Sequence, residues 1–529
     1  AAARPPHSGA RRSLSCLVTG DVELDSHQRR AVEEVRRGAN VFITGIAGSG
    51  KTEVTKRIVR EAADAGVRIA VTATTGVAAV NLANAGVPAQ TLHSLAGLKV
   101  PVSATDFTAI LQSPLRDKWA SIEMLVVDEI SMLTAEYLEW LDLHVRIARH
   151  STQVAFGGIQ LVFVGDFGQL GPIPGKASLS GDPPPGADVL LGLRELNGYA
   201  FQTATWADAK FCHVHLPTTH RHGGDADFIK ALWDIRHAEY SPLVKALSDE
   251  CASPLSKRAN GMSAALKPTV LFPLNANVDT TNTCELKKLP SEARTFSSTD
   301  SVAALRSAQS AKAPKTESWL WRQQFFKTEC QAAKVLQLKV GAQVMHLKNE
   351  FSDLPDRLVN GSRGVVVGWH ESGNPMVHFA NGRSKLIIPE IFTANYYQAG
   401  TCTRKQLPLK LCWALTIHKA QGATIDFLAV DVGGCFAAGQ AYVAISRARK
   451  RNQLEIRNMS QRTLRADPLV YDFYQAVEHG NAQQFVEQAP RWWAPLHRAP
   501  KWLGVFTAST DSPQASNAFK SWAKRWPKG

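Results

Sequence analysis

Gly45-Ile46-Ala47-Gly48-Ser49-Gly50-Lys51-Thr52 is the stretch that decides the fold. It fills every fixed position of the pattern GxxxxGK[ST], directly after the β-branched run Val41-Phe42-Ile43-Thr44 and before a helical run that begins Thr52-Glu53-Val54. Between a strand and a helix, such a loop turns the backbone N–H groups of Gly48, Ser49, Gly50 and Lys51 toward phosphate oxygens at a helix N-terminus. Gly45 opens the turn, Lys51 reaches the β and γ oxygens, and Thr52 supplies a hydroxyl to Mg²⁺. ATP and Mg²⁺ are therefore the expected ligands.

Two further strand ends complete that chemistry. Met124-Leu125-Val126-Val127-Asp128-Glu129 closes an apolar run with two acids, Asp128 suited to Mg²⁺ and Glu129 placed to orient an attacking water. Leu161-Val162-Phe163-Val164-Gly165-Asp166-Phe167-Gly168-Gln169 ends in polar residues, and Gln169 can touch both the γ-phosphate and that water. Ile69-Ala70-Val71-Thr72 adds another apolar strand, and strands of this kind, each followed by a helical pattern, predict an α/β fold with a parallel sheet covered on both faces.

The first such domain is expected over 21–199 and closes in a Gly/Pro-rich loop, Gly171 to Gly186. A second begins at 200, with Val270-Leu271-Phe272, Ala414-Leu415-Thr416-Ile417 and Leu428-Ala429-Val430 as its strands. Phe296 to Ser318, rich in Ser, Ala and Lys, reads as a flexible excursion. Short runs at Val344–Leu347, Gly364–Val367, Met376–Phe379 and Lys385–Ile388, with turn dipeptides Asn360-Gly361 and Asn381-Gly382, predict a small β-barrel over 336–400. The second domain then spans 200–335 and 401–468, leaving a basic arm at 1–20 and a basic, Trp-rich tail at 469–529.

Composition narrows the function classes. A chain of 529 residues with 44% apolar content can bury several cores, and no apolar run reaches membrane-spanning length. A net charge of +14 favours a polyanionic partner. The eight cysteines form no CxxC pair, and the run His213, His215, His220, His222 alternates along a strand-like segment, which favours packing over metal ligation. Arg4, Arg11 and Arg12, with no acid before Asp21, give the N-terminus the composition of a mitochondrial transit segment or of a basic arm. Mitochondrion is the expected location, with the nucleus as the alternative. In the tail, Trp492, Trp493, Trp502, Trp522 and Trp526 lie among lysines and arginines, which suits either a single nucleic-acid strand or a clamp onto the rest of the chain.

Taken in order, the segments resemble the Pif/RecD-like DNA helicases of superfamily one, subgroup B, and the Pif branch in particular. The resemblance runs from about Leu24 to Arg449. It is carried by Leu24-Asp25-Ser26-His27-Gln28, the phosphate loop, Thr72 to Ala79, Thr91 to Gly97, Asp128 to Met132, Phe156 to Leu161 and Gly165 to Leu170. Leu338 to Met345, Leu358 to Gly364, Trp413 to Gly422 and Tyr442 to Arg447 continue it.

What the resemblance implies is two RecA-like P-loop NTPase domains with ATP between them, a small wedge insertion in the first and an SH3-like β-barrel insertion in the second. It implies an ATP-dependent DNA helicase, a monomeric motor that moves 5′ to 3′ on single-stranded DNA, unwinds duplex junctions, and serves replication, repair or recombination. Gln28 is then the adenine reader, Gln169 the γ-phosphate sensor, and Arg221 and Arg447 the arginines that approach the phosphates from the second domain. Thr75, His93, Thr416, His418 and Gln421 fall in motifs that line the DNA path. The sequence departs from the family at Gly171-Pro172, where a double proline is usual, and at His220 and His222, where an aromatic and a Gln flank the arginine. Two other readings stand beside it: an RNA-directed motor, since contacts to backbone and stacked bases do not select DNA, and a ribonucleoprotein scaffold that retains the fold.

Overall fold

In the computed structural model the apolar runs form two parallel sheets, with a group of antiparallel strands inserted in the chain between two strands of the second. The residues described are 23–488, less 77, 80–81, 83–84, 98–109, 112–114, 173–197, 223, 256–266, 305–316, 319, 323–324, 327–329, 349, 351–357, 359–361, 397–399, 423–424 and 426. The basic arm, the Gly/Pro-rich loop from 173 onward, the Asn360-Gly361 turn and the tryptophans of the tail lie outside them.

The first sheet contains β1 (Val41–Gly45), β2 (Ile69–Ala73), β3 (Gln90–Thr91), β4 (Met124–Asp128), β5 (Gln160–Val164) and β6 (Cys212–Leu216), in the order β3-β2-β4-β5-β1-β6. Every pair is parallel. Side chains alternate across it as the strand period requires. Val41, Ile43, Val126 and Val162 face one core with helices Ser26–Arg36 and Lys51–Asp64; Phe42, Val127 and Phe163 face the other with helix Ala135–Ala148. Both faces are covered, which is why these strands read as unbroken apolar runs. The order seats β1 beside β5, with β4 next, so the phosphate loop and both acidic strand ends emerge at one carboxyl edge.

The domain boundary expected at 199/200 is wrong. Cys212–Leu216 pairs with all five residues of β1, and Phe201 and Trp206 fill the first core, Trp206 lying 5.1 Å from the Phe42 ring. The Gly/Pro-rich loop is thus an excursion within the first lobe, not its end. The stretch beginning at 469 is not wholly a tail either. Helices Pro468–Glu478 and Ala482–Gln488 return to the first lobe, where Phe473 stacks on Phe201 with centroids 4.2 Å apart.

The second sheet contains β7 (Thr269–Phe272), then, far along the chain, β18 (Ala414–Thr416), β19 (Leu428–Asp431) and β20 (Leu454–Arg457), all parallel in the order β18-β7-β19-β20. The strands between β7 and β18 are antiparallel. Their ranges are β8 (Arg294–Ser297), β9 (Thr299–Ala304), β10 (Val335–Leu338), β11 (Gln343–His346), β12 (Arg363–Trp369), β13 (Pro375–Phe379), β14 (Ser384–Leu386), β15 (Glu390–Tyr396), β16 (Gly400–Gln406) and β17 (Leu409–Leu411). A five-stranded sheet, β14-β13-β12-β11-β17, buries Val344, Val366, Val377 and Phe379. The start of the excursion expected from Phe296 is not loose: β8 pairs with β10 and β9 with β16, where Asp300 meets Arg404 at 2.7 Å. Polar alternation on a half-exposed strand looks like linker composition when only the residue types are counted.

Candidate active site

The phosphate loop depends on glycine where φ is positive and space is short. Gly48 (φ +83°) would place a Cβ 2.5 Å from the Arg221 Cβ, and Gly50, also at φ +83°, would place one against the Gln28 amide. Gly50 is the N-cap of helix Lys51–Asp64 and brings no side-chain cap, so the amides of the first turn face the cleft. Lys51 Nζ donates to the carbonyls of Gly45 at 2.6 Å and Ile46 at 3.1 Å. Burial pulls its ammonium below the ordinary lysine range, opposed by the charges of Asp166, Glu129 and Asp128.

Asp128 ends β4 with its carboxyl pushed up to about 7, first by burial and then by the charge of Glu129. Glu129 adopts φ +53°, a left-handed conformation that costs a non-glycine residue and clusters at functional sites. Thr74 Oγ1 holds it there by donating to the Glu129 carbonyl at 2.8 Å, while Glu129 N donates to Asp128 Oδ1 at 2.9 Å. Gln421 Nε2 then donates to Glu129 Oε2 at 3.2 Å. The residue expected on the DNA path therefore has its amide against Glu129, the acid expected to orient water.

Gln169 follows β5 and is buried, its Oε1 without a hydrogen-bond partner among the described residues. Gln28 belongs to the capping box of helix Ser26–Arg36, where its Oε1 accepts from Asp25 N at 3.0 Å. Its Nε2 donates to the Ser49 carbonyl at 3.2 Å and lies 3.3 Å from His220 Nε2. His220, one of the two departures from the family pattern, thus sits at the rim beside Gln28. His222, the other, is buried against the Phe228 ring and pushed down to about 4 by burial and Arg221.

The arginines come from two different segments. Arg447 is buried; its Nε donates to the Val443 carbonyl at 2.9 Å and its Nη2 to Ser446 Oγ at 2.9 Å. Arg221 Nη1 donates to the Ser446 carbonyl at 3.1 Å, and burial, then Arg447, pulls its guanidinium down to about 9. Arg221 leaves directly from β6, where His220 N donates to the Gly48 carbonyl, so it lies on the crossing segment and not within the second domain. A cleft of about 460 Å³ is lined by Gly48, Lys51, Thr52, Asp128, Glu129, Gln169, Arg221 and Arg447, and also by Arg449, which the sequence reading did not single out. It missed Tyr442 as well, whose hydroxyl accepts from Ala47 N at 2.9 Å and ties the second-lobe helix Gln440–Ile445 to the phosphate loop.

The remaining four residues expected on the DNA path sit near strand ends away from this cleft. Thr75 follows β2 and accepts from Ala78 N at 3.1 Å; Thr416 ends β18, buried. His93, on helix Leu92–Ala96, packs 4.7 Å from the Tyr137 ring and is pushed down to about 4 by burial, so it is neutral at physiological pH. Burial likewise lowers His418.

Two parallel-sheet lobes meeting at a phosphate loop, with the acids on one and Arg447 on the other, define a P-loop nucleotide-binding protein of the two-lobed kind. The PIF1-like helicase family profile matches residues 23–181, and that of the DNA helicase Pif1 2B domain matches 324–369. The chain is 33% identical over 466 residues to the ATP-dependent DNA helicase PIF1 of Homo sapiens, covering 87% of this chain and 65% of that protein. It is 30% identical to the ATP-dependent DNA helicase Pif1 of Bdellovibrio bacteriovorus, covering 87% of this chain and 93% of the relative. Among solved structures, Pif1 helicase from Candida albicans superposes with a TM-score of 0.69 at 28% identity over 86% of this chain and all of that one. Pif1 helicase from Bacteroides in complex with ADP-AlF3 and ssDNA gives 0.62 at 26% identity, over 87% and 99%. The chain belongs to the PIF1-like helicase family. It spans just under two thirds of the length of the human relative.

Proposed function

We propose that this chain is an ATP-dependent DNA helicase that translocates 5′ to 3′ on single-stranded DNA and unwinds duplex junctions. The observation that carries the proposal is the convergence of Lys51, Asp128, Glu129 and Gln169 with Arg221, Arg447 and Arg449 in one cleft between two lobes. Phosphoryl transfer needs positioning and charge stabilisation more than covalent chemistry, and these are the groups for it. Thr52 and Asp128 are hard oxygen donors of the kind Mg²⁺ takes. Bound there, Mg²⁺ would neutralise charge on the β and γ oxygens.

The chain's own residues do the rest. Lys51 leaves the loop carbonyls for the phosphates, Glu129 holds the attacking water, and Gln421 fixes the Glu129 carboxylate by its hydrogen bond. The wedge, the SH3-like character of the antiparallel sheet, a role in replication, repair or recombination, and mitochondrial residence belong to the same proposal. Support for a DNA substrate comes from the relatives' names and from the Bacteroides complex with ssDNA. ATPase stimulation by single-stranded DNA and by RNA of one sequence, with strand displacement on duplexes tailed at either end, tests it. Stimulation by DNA and unwinding only from a 5′ tail are expected; stronger stimulation by RNA, or unwinding only from a 3′ tail, would overturn it.

A further inference from the structure

Asp166, immediately beyond β5, is fully buried, and its partners come from three separate parts of the chain. Arg236 Nη2 reaches it at 2.8 Å from helix Ala226–Arg236, whose Phe228, Leu232 and Ile235 lie in the second lobe's core. Gly168 N donates to it at 3.0 Å from its own loop. Tyr474 OH approaches Asp166 Oδ1 at 3.2 Å from helix Pro468–Glu478, which packs on the first lobe. Burial pushes the Asp166 carboxyl up, but the charges of Arg236 and Lys51, with the hydrogen bonds from Arg236 and Gly168, outweigh it and hold it ionised.

Tyr474 is the hub of this junction. Its hydroxyl lies 2.8 Å from Thr44 Oγ1, on the strand that carries the phosphate loop, and accepts from Phe167 N at 2.9 Å. Its ring lies under the Arg236 guanidinium, 4.3 Å from centroid to Cζ. Tyr199 OH anchors the start of the same helix by donating to Asp467 Oδ2 at 2.8 Å. One phenol thus touches the strand before the phosphate loop, the loop that ends in Gln169 and the cation that joins the lobes.

We propose that Tyr474 is a positioning residue for ATP hydrolysis, which fixes the Asp166–Gln169 turn against Arg236 so that Gln169 is presented to the γ-phosphate. This rests on the ATP-hydrolysing reading above. The route is physical: Gln169 N donates to the Asp166 carbonyl and its side-chain amide lies 3.5 Å from Asp166 Oδ2, so a shift of Asp166 moves Gln169. A buried carboxylate and a buried amide that lose a hydroxyl partner must find another or move. Helix Pro468–Glu478 then acts on turnover although none of its residues is among those that line the cleft.

The test is steady-state ATPase of the full chain with saturating single-stranded oligonucleotide, on wild type, Tyr474→Phe, Gln169→Ala and the double variant. Tyr474→Phe keeps the ring, its packing and the cation–π contact and removes only the hydroxyl. It is expected to lower kcat about tenfold, the change one lost buried hydrogen bond supports, with KM for ATP within about twofold and the thermal midpoint nearly unchanged. In the Gln169→Ala background the same substitution should cost less than about twofold, because both act through one group. Wild-type kcat in Tyr474→Phe, a loss that appears mainly in KM, or additive losses in the double variant would each overturn the proposal. Absence of ATPase in the wild type would overturn the functional reading itself, so the two failures are distinguishable.

Discussion

Glu129 shows how a single side chain acquires its task from its surroundings. Its left-handed backbone is held by Thr74 and its carboxylate by Gln421, so the acid is fixed before any water arrives. Glu129→Gln preserves the size of the side chain and the contact to Gln421 but removes the charge that polarises water. ATP affinity is expected to stay within a few-fold of wild type while hydrolysis falls by about 10² or more. Binding of a fluorescent ATP analogue and single-turnover hydrolysis together check this, and a collapse of affinity would make Glu129 structural. The acid itself was legible in the sequence as the last residue of an apolar run before a break. Gln421 was not assignable to it, because the contact joins positions 292 apart and exists only once two lobes face each other.

At the scale of elements, the parallel strands were legible because a sheet buried on both faces needs unbroken apolar runs, and a phosphate loop fixes where the first of them ends. What escaped were the place of β6 in the first sheet and helix Pro468–Glu478, whose patterns carry histidines and tyrosines. Phe473 makes the second of these part of the first core, between Phe201 and Phe42. Phe473→Ala should cost about 3–5 kcal/mol, read as a lowered urea midpoint for the first lobe; a change under about 1 kcal/mol would show that the helix is a mere attachment. Helix Ala135–Ala148 carries its own pH dependence. Burial, with the charge of Asp142, pushes the Glu139 carboxyl up to about 8 although Thr205 N donates to it. An acid raised in the folded state contributes stability fully present below its ordinary 4.5 and lost as pH rises through about 8. Glu139→Gln, a permanent stand-in for the protonated form, should flatten the fall in thermal midpoint between pH 5 and 9. Parallel curves for the two proteins would mean that Glu139 is ionised without penalty.

For the whole molecule, the account is one of coupling. The first lobe supplies the phosphate loop, Asp128 and Glu129, while Arg447 stands on the second lobe at the end of a helix that also touches the loop through Tyr442. Arg447 is buried and held by Val443 and Ser446, and its geometry relative to the phosphates depends on how the lobes close. A guanidinium supplied across a cleft binds the γ-phosphate only in the closed state, so ATP favours closure and hydrolysis releases it. Arg447 and Arg221 were legible by their motifs; the burial of Arg447 and the presence of Arg449 beside them were not, since they follow from packing between distant segments. The most direct measurement is DNA-stimulated steady-state ATPase of Arg447→Ala at saturating oligonucleotide, with ATP affinity measured in parallel. The account predicts a loss in kcat of roughly 10³-fold or more, the scale associated with arginine fingers, with ATP and single-strand affinity largely kept. A loss below about tenfold would contradict it.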